Sequence, residues 1–375
     1  MNFKKLKIAF LGGGVNSAIG RTHKIAISMD NRYDLQAGCF SRDREVNILS
    51  AVEYGVDAKR VYENLDALLE NEKKNIDAIC ILTPTPNHKV EIIKCRENNV
   101  AVICEKALAL SSEEILEIQA ALQKNSVFLA VTYNYTGYPM LRELRDMIQK
   151  GQLGKLEQIH IEMPQESFAR VDREGEPLKP QEWRLVDGTL PTISLDLGTH
   201  THDIVSFLTG ERPMELVSIQ ESFGSFKNII DNSLSIAKYT NNLVSNIWFS
   251  KTALGHRNGL RVRVYGDMGS AEWYQLEPEN LYFNDNRGHK ILIDRASVDA
   301  NVTTKLRYNR FKAGHPSGFI EAFANYYGDI ADYLLNENKN ESGYVFGIDD
   351  ALEGLLMLEA MTLSNKEKRW VSIYE

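Results

Sequence analysis

No apolar run in this 375-residue chain approaches the roughly 20 residues that a membrane helix needs, and the first run, Ile8 to Leu11, is too short for a secretory signal. A membrane partner is therefore not expected, and the expected location is cytoplasmic. Cysteine is scarce. Cys39, Cys80, Cys95 and Cys104 all fall in the first third, without C-x-x-C or other metal spacing, so they read as buried reduced thiols and no metal is expected. Positive charge is also short: 43 Lys and Arg against 51 Asp and Glu leave a net charge of −8. The basic residues are scattered, apart from small groups such as Lys4-Lys5 and Lys366 to Arg369. That pattern argues against a nucleic-acid backbone as partner. The chain shows neither an internal repeat nor a low-complexity segment.

A hydrophobic content of 43% over this length is enough for two cores. Up to about Asn134 short apolar runs alternate with amphipathic stretches. Lys7 to Leu11, Leu35 to Phe40, Ala78 to Leu82, Ala101 to Cys104 and Val127 to Thr132 read as strands, and Val15 to Met29 reads as a helix. Near-continuous apolar strands between helices indicate a parallel sheet covered on both faces, a doubly wound α/β domain over residues 1–135. From about Leu153 the period changes to 2, as in Ile159-His160-Ile161-Glu162-Met163. Hairpin signals stand at Thr240-Asn241-Asn242 and Gly266-Asp267-Met268-Gly269, and helical patterns at 199–208, 318–335 and 348–363. An α+β domain with an open, mostly antiparallel sheet is expected over 136–375. The charged stretch Arg170 to Gln181 reads as a loop, either at a site entrance or on the surface.

The first apolar strand runs into Gly12-Gly13-Gly14-Val15-Asn16-Ser17. A strand that turns on glycine into a helix N-terminus offers backbone N–H groups to a pyrophosphate. The turn is irregular, because Ser17 stands where G-x-G-x-x-G has its third glycine, and Gly20 is a further small position. In such folds the end of the second strand selects the dinucleotide. Ser41 and Arg42 lean toward NADP, since a guanidinium forks onto phosphate, while Asp43 keeps NAD open. Thr83-Pro84-Thr85-Pro86-Asn87-His88 follows the third strand, at the edge where ligands bind, and Glu105-Lys106 follows the fourth. In Asp196-Leu197-Gly198-Thr199-His200-Thr201-His202-Asp203, Asp196 and His200 have the i,i+4 spacing of one helix face, and an acid that orients an imidazole makes a general base. His200 and His202 would point about 200° apart on a helix, which disfavours a shared metal.

Together these residues resemble the Gfo/Idh/MocA oxidoreductases, named for glucose-fructose oxidoreductase and inositol dehydrogenase. The resemblance rests on the glycine turn, Thr83-Pro84 with Asn87-His88, Glu105-Lys106, Asn134, Trp183-Arg184 and Asp196-x-Gly198-x-His200-x-x-Asp203. It implies a Rossmann domain, an α+β domain often used for oligomer contacts, and NAD- or NADP-dependent dehydrogenation of a sugar or cyclitol by a homodimer or homotetramer. Carried over by position, Lys106 is the catalytic lysine and Asp196 and His200 complete the catalytic group. Gly12, Gly13, Gly14, Ser17, Ser41, Arg42, Thr83, Pro84, Asn87, His88, Glu105, Lys106, Asn134 and Arg184 are the expected cofactor contacts. Substrate is expected at Lys106, Asp196 and His200 and, apart from any family motif, at the aromatic Tyr135 and the loop histidine His315. The chain departs from the family pattern at Ala107, where the family has proline. It departs again in Tyr133-Asn134-Tyr135-Thr136-Gly137-Tyr138, whose aromatics suit either a sugar face or a core. Two other classes stay open: an NAD-dependent glycoside hydrolase with transient oxidation, and a non-catalytic dinucleotide-binding sensor.

Overall fold

Apolar side chains on every residue of the strand 78–82 are buried, and that one fact requires helices on both faces of its sheet. The computed structural model describes residues 4–123, 127–335 and 343–374. In chain order the first elements are β1 (Leu6–Gly12), α1 (Ala18–Met29), β2 (Tyr33–Cys39), α2 (Arg44–Tyr54), α3 (Leu65–Glu72), β3 (Ala78–Leu82), α4 (His88–Glu97), β4 (Ala101–Cys104), α5 (Ser112–Leu122) and β5 (Leu129–Val131). The five strands form one parallel sheet in the order β2-β1-β3-β4-β5. The strand order reverses direction at β1, which puts the ends of β2 and β3 on either side of the glycine turn.

The chain continues through α6 (Pro139–Gln149), β6 (Leu156–Pro164), α7 (Thr199–Thr209), β7 (Pro213–Glu221), β8 (Asn232–Tyr239), β9 (Val244–Ser250), β10 (Arg261–Gly266), β11 (Gly269–Tyr274), β12 (Asn280–Asp285) and β13 (Lys290–Asp294). Then follow α8 (Phe319–Leu334), α9 (Ile348–Glu367) and β14 (Val371–Ser372). Nine strands form the second sheet, ordered β13-β12-β11-β10-β6-β9-β8-β7-β14. It is antiparallel except for the β6–β9 pair. Ile159, Ile161 and Met163 of β6 share the buried face, as the period of 2 requires. Both hairpin signals sit at turns, between β8 and β9 and between β10 and β11.

The molecule divides into two compact units, Met1–Gly137 with Phe319–Leu352, and Tyr138–Gly318 with Glu353–Glu375. In the first unit α8 rests on the turn 134–137. Asn325 Nδ2 donates to the Gly137 carbonyl at 2.8 Å, and a Cβ on Gly137 would lie 2.0 Å from the Ala322 carbonyl oxygen. In the second, Tyr138 packs on the fully buried Trp273 at 5.0 Å between ring centres. Among the described residues no helix is long and apolar enough to cross a membrane.

Candidate functional site

In the first unit the glycine turn is closed by backbone contacts that leave no room for side chains. Gly12 has φ +81°, and a Cβ there would lie 2.9 Å from the Leu82 carbonyl carbon and the Thr83 nitrogen. The close-packing position is Gly20. A Cβ on it would sit 1.9 Å from the Gly13 oxygen, so α1 crosses directly over the turn. Ser17 has a different part from the one expected. Helix α1 begins at Ala18, and Ser17 is its N-cap, accepting from the Gly20 N–H at 3.4 Å. Gly14 donates to the Phe40 carbonyl, and Tyr54 donates to the Gly13 carbonyl at 2.9 Å.

Beyond β2, Asp43 Oδ1 accepts from the Glu45 and Val46 N–H groups at 2.9 and 3.0 Å. It is the cap of α2, and that oxygen is used there. Ser41 Oγ accepts from the Asp43 N–H at 3.1 Å, and Arg42 is exposed.

The segment after β3 divides in two. Thr83 Oγ donates to Glu91 Oε2 at 2.5 Å, Pro84 is exposed, and Asn87 is half-buried at the head of α4. His88, expected as a cofactor contact, is instead fully buried, with Nδ1 2.9 Å from the Ala107 carbonyl and Nε2 2.8 Å from the Thr83 carbonyl. Burial holds this imidazole below its usual range, against the pull of both carbonyls. It ties the loops after β3 and β4 together, and it fixes the residue that follows Lys106 although no proline stands there.

Glu105 is buried under Lys106 in a chain of polar contacts. His23 Nε2 lies 2.8 Å from Glu105 Oε1, the Thr132 hydroxyl donates to the same oxygen, and His23 Nδ1 lies 2.5 Å from the Tyr327 hydroxyl. Burial pushes the Glu105 carboxyl up, but the His23 hydrogen bond, the Lys106 charge and the Thr132 bond outweigh it and hold the group below its usual range. Lys106 itself is half-buried at the carboxyl edge of β4. Asn134 is 3% exposed, and its Nδ2 meets no hydrogen-bond partner among the described residues. A buried amide donor left open calls for a ligand acceptor. Tyr135, expected at the substrate, is 5% exposed, with its ring 6.0 Å from that of Phe319.

The residues of the first unit fit a dinucleotide. The turn that a Cβ would fill, the helix N-terminus beyond it and the open amide of Asn134 would hold its phosphates and its polar groups. Gly12, Gly13, Gly14, Ser41, Arg42, Thr83 and Asn87 lie on the three strand ends around that turn.

In the second unit Asp196 sits in a π-helical turn, Ser194–Gly198, that opens directly into α7. Such a turn inserts an extra residue, so an i,i+4 face does not carry unchanged from Asp196 to His200. Asp196 Oδ2 takes two cations, Arg184 Nη1 at 2.6 Å and Lys251 Nζ at 2.7 Å. Arg184, expected at the cofactor, is thus the partner of Asp196, with its guanidinium 4.4 Å over the Trp183 ring. His200 is 4% exposed on the first turn of α7. His202 is structural. Burial lowers it to about 4, its Nδ1 lies 3.3 Å from Met357 Sδ, and its Nε2 lies 3.6 Å from Glu353. His315 is exposed on a loop and joins none of these groups; its carbonyl accepts from Arg295.

Lys251 is the residue that reading the sequence missed. It follows β9, is buried to 5% exposure, and also reaches Gln165 Oε1 at 3.4 Å and the Phe168 ring at 5.4 Å. Its signal was the one used for Lys106, a lysine directly after an apolar strand. Lys251→Met is expected to lower the unfolding free energy by about 1–3 kcal/mol, because a partly buried carboxylate loses one of two cations. Arg257→Met, which removes a largely exposed guanidinium from Glu166, should cost under about 1 kcal/mol. Urea unfolding midpoints of the two variants check the contrast.

Comparison with known proteins shows the family. Residues 6–133 match the profile of the oxidoreductase family's NAD-binding Rossmann fold, and residues 145–373 that of its C-terminal alpha/beta domain. An uncharacterized oxidoreductase of Bacillus subtilis, YfiI, is 32% identical, with 98% of this chain and 97% of that protein aligned. Inositol 2-dehydrogenase of Rhizobium meliloti is 24% identical over 98% of this chain and 99% of its own length. Among solved structures, an inositol dehydrogenase homolog from Azotobacter vinelandii, complexed with NADH and myo-inositol, superposes with a TM-score of 0.88 at 26% identity, covering 98% of each chain. With the two profiles accounting for most of its length, the chain belongs to the Gfo/Idh/MocA oxidoreductase family.

Proposed function

We propose that this protein is an NAD(P)-dependent dehydrogenase that oxidises a secondary hydroxyl of a sugar, a sugar derivative or a cyclitol. The observation that carries the reading is the glycine turn, packed so tightly at Leu82-Thr83 and at Gly20 that no side chain fits at Gly12, Gly13 or Gly20. The inositol dehydrogenases among its relatives support the substrate class. A bound nicotinamide supplies the hydride acceptor. Lys106 then stabilises the developing alkoxide by its charge, and His200 takes the hydroxyl proton. Asp196, paired with Arg184 and Lys251, accepts a substrate hydroxyl hydrogen bond rather than acting as a base.

NADP is the favoured form in this reading. Asp43 Oδ1 is committed to capping α2, and the exposed Arg42 with Ser41 beside it is placed to meet the adenosine ribose. Exposed Leu234 and Ile236 on β8 and Ile219 on β7 support a homodimer or homotetramer built on the second sheet. Four free, buried cysteines suit a reducing, cytoplasmic location. A panel of cyclitols, pyranoses and sugar acids, each offered with NAD and with NADP, tests the function. Reduced nicotinamide accumulating in step with substrate is the expected result. A free sugar released without reduced cofactor, or no turnover of any polyol, contradicts it.

A further inference from the structure

The ends of β2, β1 and β3 form one ledge, since β1 lies between the other two, Gly14 bonds the Phe40 carbonyl, and Gly12 abuts Leu82 and Thr83. Arg42 stands at one side of this ledge. At the other, Thr83 is hydrogen-bonded to Glu91, in the first turn of α4, at 2.5 Å. The strand order β2-β1-β3 and the Thr83 bond thus put Arg42 and Glu91 at the two flanks of the glycine turn, and the Arg42 charge acts on the Glu91 carboxyl. The family's recognition of the ribose is expected from the end of β2 alone, and nothing in that expectation involves α4.

We propose that Glu91 is a second determinant of coenzyme choice, opposing Arg42 at the 2′ position of the adenosine ribose and making the preference between NADP and NAD depend on pH. The proposal rests on the reading of the first unit as a dinucleotide site. Ionised, Glu91 offsets the guanidinium and repels a 2′-phosphate. Protonated, it leaves Arg42 free to pair with that phosphate, while a 2′-hydroxyl is nearly indifferent to the change.

The surroundings place the switch near neutrality. Burial raises Glu91 to about 7, against the Thr83 hydrogen bond and the Arg42 charge. The other titratable groups that face it are thiols: Cys39 of β2, Cys95 of α4 and Cys104 of β4. Burial pushes Cys39 to about 11, Cys95 to about 12 and Cys104 well above its ordinary value, so all three are neutral where Glu91 titrates. Lys94 acts on Cys95 and pairs with Asp66, and Lys89 pairs with Glu114 and Glu117.

Calorimetric titration of the whole protein with NADP and with NAD, at about pH 6.5 and about pH 8, tests this without any turnover. The ratio of the NADP to the NAD dissociation constant should rise about fivefold between the two pH values, the order expected for one charge acting across a partly solvated crevice. In Glu91→Gln the ratio should follow only the second ionisation of the 2′-phosphate itself, near about pH 6, which both proteins share. In Thr83→Val, which removes the bond that favours ionised Glu91, the midpoint of the change should move to higher pH. The same pH course in the wild type and in Glu91→Gln, or an unmoved midpoint in Thr83→Val, overturns the role of Glu91 alone. Failure of both dinucleotides to bind overturns it together with the reading it rests on.

Discussion

Lys106→Met is expected to lower kcat/KM about a thousandfold, roughly 4 kcal/mol of transition-state stabilisation, while changing the dinucleotide dissociation constant by less than about threefold. The asymmetry follows from what the charge does. An ammonium group beside a substrate hydroxyl gains most as the oxygen becomes negative, so its loss falls on the transition state rather than on cofactor binding. Glu105 keeps its charge through His23 and Thr132, and the Ala107 carbonyl is fixed by His88. Lys106→Arg retains the charge but spreads it over a planar fork, and should recover only part of the rate. Steady-state kinetics with calorimetry on the same preparations measure both quantities. A Lys106→Met enzyme within about tenfold of wild type removes the lysine from the chemistry.

The second large effect belongs to Gly20→Ala. One methyl group at this position would lie 1.9 Å from the Gly13 oxygen and 2.4 Å from its carbonyl carbon, and backbone cannot rotate away as a side chain would. Helix α1 must lift from the turn. The expected cost is about 3 kcal/mol of stability, at the upper end for overpacking, together with a loss of dinucleotide affinity of about a hundredfold or more. Ser17→Gly, one turn away, keeps an accepted N-cap residue and should cost no more than about 1 kcal/mol. Thermal unfolding followed by circular dichroism, with dinucleotide titration, distinguishes the two. If Gly20→Ala unfolds and binds as the wild type does, the close crossing of α1 over the turn is not what shapes the cradle.

The contrast between these two positions shows how far the chain could be read before its fold was seen. Strands with a continuous apolar run were legible, and Ala78–Leu82 and Ala101–Cys104 begin and end where their composition changes. The glycine turn was legible as a turn, but its register was not. Helix α1 starts three residues later than its apolar pattern, because Ser17 caps it, and this moves the close-packing duty to Gly20. Local patterns also said nothing of partners distant in the chain. His23 meets Glu105 across 82 residues and Tyr327 across 304, and no periodicity in any of the three segments carries that information. The pattern at 318–335 gave a helix, yet only the structure shows α8 resting on the turn 134–137 of the first unit. The Asp196 motif is visible through its spacing, whereas its second cation, Lys251, lies beyond three intervening strands, where no local pattern links the two. The tyrosines at 133, 135 and 138 were ambiguous for a physical reason: an aromatic ring suits a sugar face and a protein core equally well, and burial decides.

The most direct test of the central claim follows a labelled carbinol hydrogen. A substrate identified from the polyol panel, carrying deuterium on the carbon that bears the reacting hydroxyl, is incubated with oxidised dinucleotide, and the reduced cofactor is examined by mass spectrometry. The account predicts one deuterium on each reduced nicotinamide, with that labelled cofactor forming about a thousandfold more slowly after Lys106→Met. Deuterium that returns to a released sugar, or that never leaves the substrate while the dinucleotide stays bound and oxidised, contradicts it.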